Sequence, residues 1–321
     1  MEHKFVIEEE DPPQKSEEDN KVVWKQGYFS FGSQSRIANV TACKFVTEDI
    51  VVIAHRAVAK VYLIKILPDS NTYEILDSLQ LRFGSLYYHP DGMELYNNKV
   101  YISAFTDKCC VIEIINNERL LFKRLFSVVP RMSYHGVYVN DTGIYLGACC
   151  VNPRSTFQET IPIHCFMHQS NEVIEYDTGF KRRVKGLQLF DNESKMIVVS
   201  DDKGKGRRNL FDSFVVLYDI NDSTDALELA DDFTMKNSQV DGIIMKNAIW
   251  YATIHDADDK CGYIVVGTIS ISKKLMFLSK ISCDNFPHGI DLNFGNLMFT
   301  CYGSSSFIVR RENQTEYWTL K

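Results

Sequence analysis

The stretch Val240-Asp241-Gly242-Ile243-Ile244-Met245, carried across a polar turn into Trp250-Tyr251-Ala252-Thr253-Ile254, decides how the chain is read. A polar residue precedes a Gly, an apolar-alternating strand follows, and after the turn comes a second strand of large apolar residues. The same unit opens at His89-Pro90-Asp91-Gly92, Tyr134-His135-Gly136, Val184-Lys185-Gly186 and Pro287-His288-Gly289, with a Gly-less version at Ala38-Asn39-Val40-Thr41. Alternation at period two marks each segment as a half-buried strand, and no window carries the 3.6-residue period of a long amphipathic helix. Self-similarity at a spacing of roughly 45–55 residues, with several strands per unit, is the pattern of a β-propeller.

Further strands follow each inner pair: Val61–Ile66, Cys110–Ile115, Glu172–Tyr176, Phe214–Ile220, Tyr263–Ile269 and Phe307–Arg310. Fainter fourth strands are expected around Tyr73–Leu79 and Leu120–Phe126. The expected fold class is therefore all-β, a six-bladed β-propeller of four-stranded blades. The last unit is short, and the strand pattern around Val22–Phe31 has no blade of its own. Lending that N-terminal strand to the last blade would remove the open edge, so residues 22–321 are expected to form one propeller domain. Residues 1–21 are acidic and Pro-containing, with too little apolar surface to offset the entropy of ordering, and are expected to be a disordered tail.

Composition bounds the function. Hydrophobic residues make up 45% of the 321, with 16 Tyr and 20 Phe, which suits a buried all-β core. No run approaches the roughly 18–20 apolar residues of a membrane span. The first residues lack the basic-then-apolar order of a secretory leader. A net charge of −7 argues against general nucleic-acid binding. The nine cysteines are an odd number without Cys-x-x-Cys spacing, which points to free thiols in a reducing compartment and a cytoplasmic location.

In such a ring, the residue before each Gly and the residue ending each second strand meet at one channel mouth. The first set is Asn39, Asp91, His135, Lys185, Asp241 and His288. The second includes His55, Cys149, Asp201, His255 and Tyr302. Titratable groups crowded into a concave mouth suit acid–base catalysis or metal ligation, although polar inner residues can also simply hydrate a channel. His135, His288, His255, Lys185 and Tyr302 are the candidate catalytic residues. His135 or His288 would be the base, with Lys185 neutralising developing charge. Asn39, His55, Arg183, Lys203 and Arg207 are candidate substrate-binding residues. Asp91, Asp241, His135 and His288 could form a mixed nitrogen and oxygen site for one divalent metal, better suited to zinc, iron or manganese than to calcium.

Three long loops are expected on this face, at Cys149–Ser170, Asp201–Ser213 and His255–Gly262. The second carries Lys203, Lys205, Arg207 and Arg208 near Lys181, Arg182 and Arg183, and suggests an anionic or polar small ligand. No dinucleotide fingerprint, phosphate loop, Gly-x-Ser-x-Gly or His-Glu-x-x-His is present, so no nucleotide cofactor is expected.

Pro287-His288-Gly289-Ile290 followed by Leu297-Met298-Phe299-Thr300 resembles the lyase-type repeat of the six-bladed propeller superfamily. That superfamily includes gluconolactonase-like hydrolases, streptogramin-lyase-like proteins and ligand-binding propellers. The resemblance implies chemistry by a channel metal with acidic ligands or by a His base, and of the family's residues only His288 carries over. Cys301 stands where the repeat has Glu, which leaves the specific reaction open. Two function classes follow: a hydrolase or lyase at the mouth, or a non-catalytic propeller binding a peptide or protein partner through Tyr87, Tyr88, Tyr134 and the loops. A ligand sensor without turnover is a third.

Overall fold

The computed structural model describes residues 29–30, 40–67, 72–151, 160–202, 212–221, 224, 226–256, 261–283, 286–302 and 306–311. Among them there is no helix. Six four-stranded antiparallel sheets make the fold a six-bladed β-propeller. Strand β1 (Phe29–Ser30) belongs to the last sheet. Blade 1 is β2 (Val40–Phe45), β3 (Ile50–His55), β4 (Lys60–Leu67) and β5 (Thr72–Gln80). A small hairpin, β6 (Arg82–Phe83) and β7 (Leu86–Tyr87), precedes blade 2, which is β8 (Pro90–Tyr96), β9 (Lys99–Ala104), β10 (Lys108–Ile115) and β11 (Arg119–Ser127). Blade 3 is β12 (Met132–Val139), β13 (Gly143–Val151), β14 (Ile163–Met167) and β15 (Val173–Tyr176). Blade 4 is β16 (Arg183–Phe190), β17 (Lys195–Asp201), β18 (Ser213–Asn221) and β19 (Ala226–Met235). Blade 5 is β20 (Ser238–Lys246), β21 (Ile249–Asp256), β22 (Cys261–Ile269) and β23 (Leu275–Cys283). Blade 6 is β24 (Pro287–Asn293), β25 (Asn296–Cys301) and β26 (Ser306–Arg311), with β1 pairing antiparallel to β26 through Phe29 opposite Phe307. The remainder of the 1–39 segment lies outside the described residues.

The chain forms two compact units, Met1–Pro130 with Ile290–Lys321, and Arg131–Gly289. In the first, side chains from blades 1 and 2, among them Val52, Leu63, Leu81, Tyr88 and Ile112, form one apolar cluster, and Ile53, Ile64, Met298 and Phe307 anchor another. In the second, one cluster gathers around Leu187, Val198 and Tyr218, and another around the fully buried Trp250. Several tight turns have a local cause. Asn97-Asn98 and Asn116-Asn117 join consecutive strands with φ between 49 and 58°, the left-handed conformation that two-residue hairpins demand and that Asn tolerates.

The polar-Gly pair of the repeat proves to be a β-bulge. In β20, Val240 faces Ile254 and Ile243 faces Ala252, so Asp241 and Gly242 together oppose Thr253 alone. The register slips in the same way at Asp91-Gly92, at His135-Gly136 and at Lys185. A bulge leaves its extra residue outside the ladder and re-aims its side chain. The Gly serves close packing. A Cβ on Gly136 would lie 3.0 Å from the Gly186 Cα of the next blade, and one on Gly186 would lie 3.0 Å from Val199 Cγ2 and 3.2 Å from the Ile243 nitrogen.

Three expectations are corrected. Glu172–Tyr176 supplies the fourth strand of blade 3, because Ile163–Met167, buried at its first four positions, takes the third place; the expected Cys149–Ser170 loop therefore contains a strand. In blade 1 the bulged residue is Thr41, so the repeat register there sits two residues later than Asn39, which lies outside the described residues. Tyr88 and Tyr134 offer no contact surface: both are buried, with the Tyr88 hydroxyl donating to Ile102 O at 2.7 Å and the Tyr134 hydroxyl bonded to His164 Nδ1 at 3.1 Å.

Candidate functional site

In the second unit, three successive bulges and the start of β24 bring together one carboxylate and three other ionisable side chains. Asp241 leaves the β20 bulge with its side chain at 0% exposure, and Lys185 from the β16 bulge reaches it with Nζ 2.7 Å from Oδ1. His135, from the β12 bulge, places Nε2 3.5 Å from the same oxygen, and His288 places its Nε2 at 3.6 Å. The two imidazoles stack with centroids 5.3 Å apart and 27° between planes. Gln239 Nε2 adds longer bonds to Asp241 at 3.3 and 3.5 Å. Burial alone would raise the Asp241 pKa, but Lys185, His288 and His135 together outweigh it and hold the carboxyl well below the usual range.

Local backbone fixes the geometry. His135 Nδ1 lies 2.7 Å from Lys185 O, and a carbonyl can only accept, so Nδ1 carries the proton and Nε2 of the neutral ring carries the lone pair. The Thr253 hydroxyl accepts from the Gly242 amide at 2.8 Å and donates to His288 O at 2.7 Å. Beside this cluster, Arg183 clamps Asp201 through Nε and Nη2, both at 2.7 Å. Burial raises the Asp201 pKa despite Lys185 and Arg183. His255, at the end of β21, stacks on Phe286 at 4.3 Å, and partial burial lowers its pKa against the pull of Asp241.

In the first unit, Asp91 is fully buried with Arg56 Nη1 at 3.6 Å, and the Gly92 amide beside it donates to Ser103 Oγ at 3.2 Å. His55, at the end of β3, is 3% exposed; burial, reinforced by Lys60, lowers its pKa to about 4. Tyr302 sits half-buried in the turn after β25. A second buried charge cluster escapes the repeat pattern: Lys44 Nζ lies 2.9 Å from Glu94 and 3.6 Å from Asp291. They stand three residues beyond Thr41, Asp91 and His288, a periodicity that could have revealed them.

Of the candidate residues, then, His135, Lys185, Asp241 and His288 converge, with Arg183 and His255 nearby in the same unit. Asp91, His55 and Tyr302 belong to the first unit. Lys203 and Arg207 lie outside the described residues. Three described members of the basic group are engaged, Arg183 with Asp201, Lys185 with Asp241, and Arg182 with its guanidinium 3.3 Å above the Phe214 ring, while Lys181 is exposed.

As a metal ligand, His135 fits, since a ring whose Nδ1 is anchored to a carbonyl presents Nε2 in the ligating tautomer, and the stacked His288 turns its own Nε2 to the same place. Asp241 fits less well. The oxygen that both rings face is the one paired to the Lys185 ammonium, so a cation there would have to displace that charge.

Solved structures confirm the fold class. Hydrazine synthase of Kuenenia stuttgartiensis superposes with a TM-score of 0.57 at 10% identity, covering 88% of this chain and 79% of that one. The periplasmic gluconolactonase of Pseudomonas aeruginosa gives 0.53 at 11%, covering 89% and 84%, and a streptogramin B lyase gives 0.51 at 10%, covering 90% and 97%. At such identities the likeness carries the fold alone. No family model and no curated protein sequence matches the chain.

Proposed function

We propose that this protein is a hydrolase or lyase acting on a small polar carbonyl compound, with His135 and His288 as its acid–base pair. One observation carries the reading: two buried imidazoles present Nε2 to a single carboxylate oxygen that a buried lysine already neutralises. A proton taken up at His135 Nε2 would lie beside Asp241, so the imidazolium formed during proton abstraction shares that carboxylate's charge with the Lys185 ammonium. The second imidazole can return a proton to a leaving oxygen. Such positioned groups contribute about 10²–10⁴ in rate each. The gluconolactonase and streptogramin lyase likenesses support this class of chemistry on this fold. The ligand is taken as polar and uncharged, because Lys185 and Arg183 are both committed to buried carboxylates.

A second reading has a divalent cation bound through His135 and His288, favoured by the ligating tautomer of His135. When bound, such a cation would polarise a carbonyl or acidify water. Eight of the nine cysteines form no disulfide among the described residues, which supports a reducing, cytoplasmic setting.

The test is a panel of lactones, esters and β-elimination substrates, assayed with and without chelator on wild type, His135→Ala and His288→Ala. Each single variant is expected to lose about 10²–10⁴ in kcat/KM on any substrate turned over. Turnover untouched by both substitutions would refute the assignment, and activity lost to chelator would favour the cation reading.

A further inference from the structure

We infer that Thr253 is a positioning residue that sets the distance between Asp241 and His288. Its hydroxyl is fully buried in the second strand of blade 5, opposite the two bulged residues. The oxygen serves two masters at once. It accepts the Gly242 amide at 2.8 Å, which pins the bulge from which Asp241 projects, and it donates to His288 O at 2.7 Å on the next blade. One hydrogen atom is available on the hydroxyl, and the carbonyl of His288 must receive it. The pair of bonds is therefore directional, and only a hydroxyl can make both.

Aliphatic packing at this site would leave a buried amide and a buried carbonyl unpaired, and the two backbone segments would lose their common anchor. The contact between His288 Nε2 and Asp241 Oδ1, now 3.6 Å, would then drift while His135, held separately by Lys185 O, stayed in place. A ring on one side of the carboxylate would move and its stacked neighbour would not. Ser103 stands in the equivalent place in blade 2 and accepts the Gly92 amide at 3.2 Å.

The inference rests on the acid–base reading of this site, but its test does not need a substrate. Imidazole ¹H–¹⁵N spectra are recorded for wild type, Thr253→Val, Thr253→Ser and Asp241→Asn, with each protein checked for folding by circular dichroism. In Thr253→Val the His288 resonances are expected to shift in the same direction as in Asp241→Asn, with those of His135 much less affected. Thr253→Ser is expected to restore the wild-type His288 pattern. If Thr253→Val does not fold, Thr253→Ala, which leaves room for a water between the two backbone groups, takes its place. Unchanged His288 resonances in a folded Val or Ala variant would overturn the inference, as would equal shifts at His135 and His288. If a substrate is found, Thr253→Val should lower kcat more than it changes KM. If none is found, the proposed activity fails while the spectra still decide the role of Thr253.

Discussion

Replacing Asp241 by Asn is the most direct test of how the central cluster holds together. The side chains of Asp241 and Lys185 are 0% and 4% exposed, and Nζ lies 2.7 Å from Oδ1. Asn keeps the volume but removes the charge, which leaves the Lys185 ammonium buried among two imidazoles and an amide. Breaking a buried ion pair by neutralising one partner destabilises by about 3–5 kcal/mol, because the remaining charge is uncompensated. At about 2–4 °C per kcal/mol for a chain of comparable size, the midpoint of thermal unfolding should fall by roughly 6–20 °C. Asp241→Asn/Lys185→Met should recover most of the loss, since the stranded ammonium is then gone too. The assay is urea unfolding of the four proteins of this double-mutant cycle. The sign with pH follows from the depressed carboxyl. The contribution of Asp241 is fully present above the ordinary value of 3.8 and is lost as pH falls below it towards the lower folded-state value. A change under about 1 kcal/mol in Asp241→Asn, well short of the expected cost, would refute the reasoning, as would a double variant less stable than the single.

Two further outcomes are expected. His55 titrates near 4 when folded against 6.5 when free, so the unfolded chain binds the extra proton and stability falls between pH 6.5 and 4. The loss is about 3 kcal/mol, and His55→Gln should flatten that part of the pH–stability curve measured in urea. Gly186→Ala would press a methyl against Val199 and the Ile243 backbone, and should lower unfolding free energy by about 1–3 kcal/mol in urea titration.

The blades were legible in the sequence because each inner pair repeats both its hydrophobic alternation and its polar-Gly opening. His135, Lys185, Asp241 and His288 were legible for the same reason: equivalent positions in a repeat share one place in the fold. What escaped depends on register and on contacts between distant segments. Asn39 looked equivalent to the bulged residues because blade 1 has no Gly to mark the slip, and Thr41 holds the position instead. The third strand of blade 3, Ile163–Met167, contains two residues common in loops or sites, His164 and Cys165, and only pairing with Tyr145 and Leu146 on β13 reveals it. Nothing local marks Arg183 as the partner of Asp201, since the pairing arises from β16 and β17 lying side by side.

The bulge that recurs at Asp91, His135, Lys185 and Asp241 separates two duties that a strand normally combines. Residues on either side keep the ladder, and the extra residue is released from it, so its identity answers to what it meets at the end of the blade and not to a partner across the ladder. An aspartate, a histidine and a lysine occupy the same backbone niche in successive blades without altering the strands that carry them. Each blade thus offers a socket at one backbone position, and in blades 3 to 5 the occupants are coupled through Asp241. Chemistry at this end of the blades can therefore diverge by matched exchanges among these residues, while the sheets beneath remain unchanged.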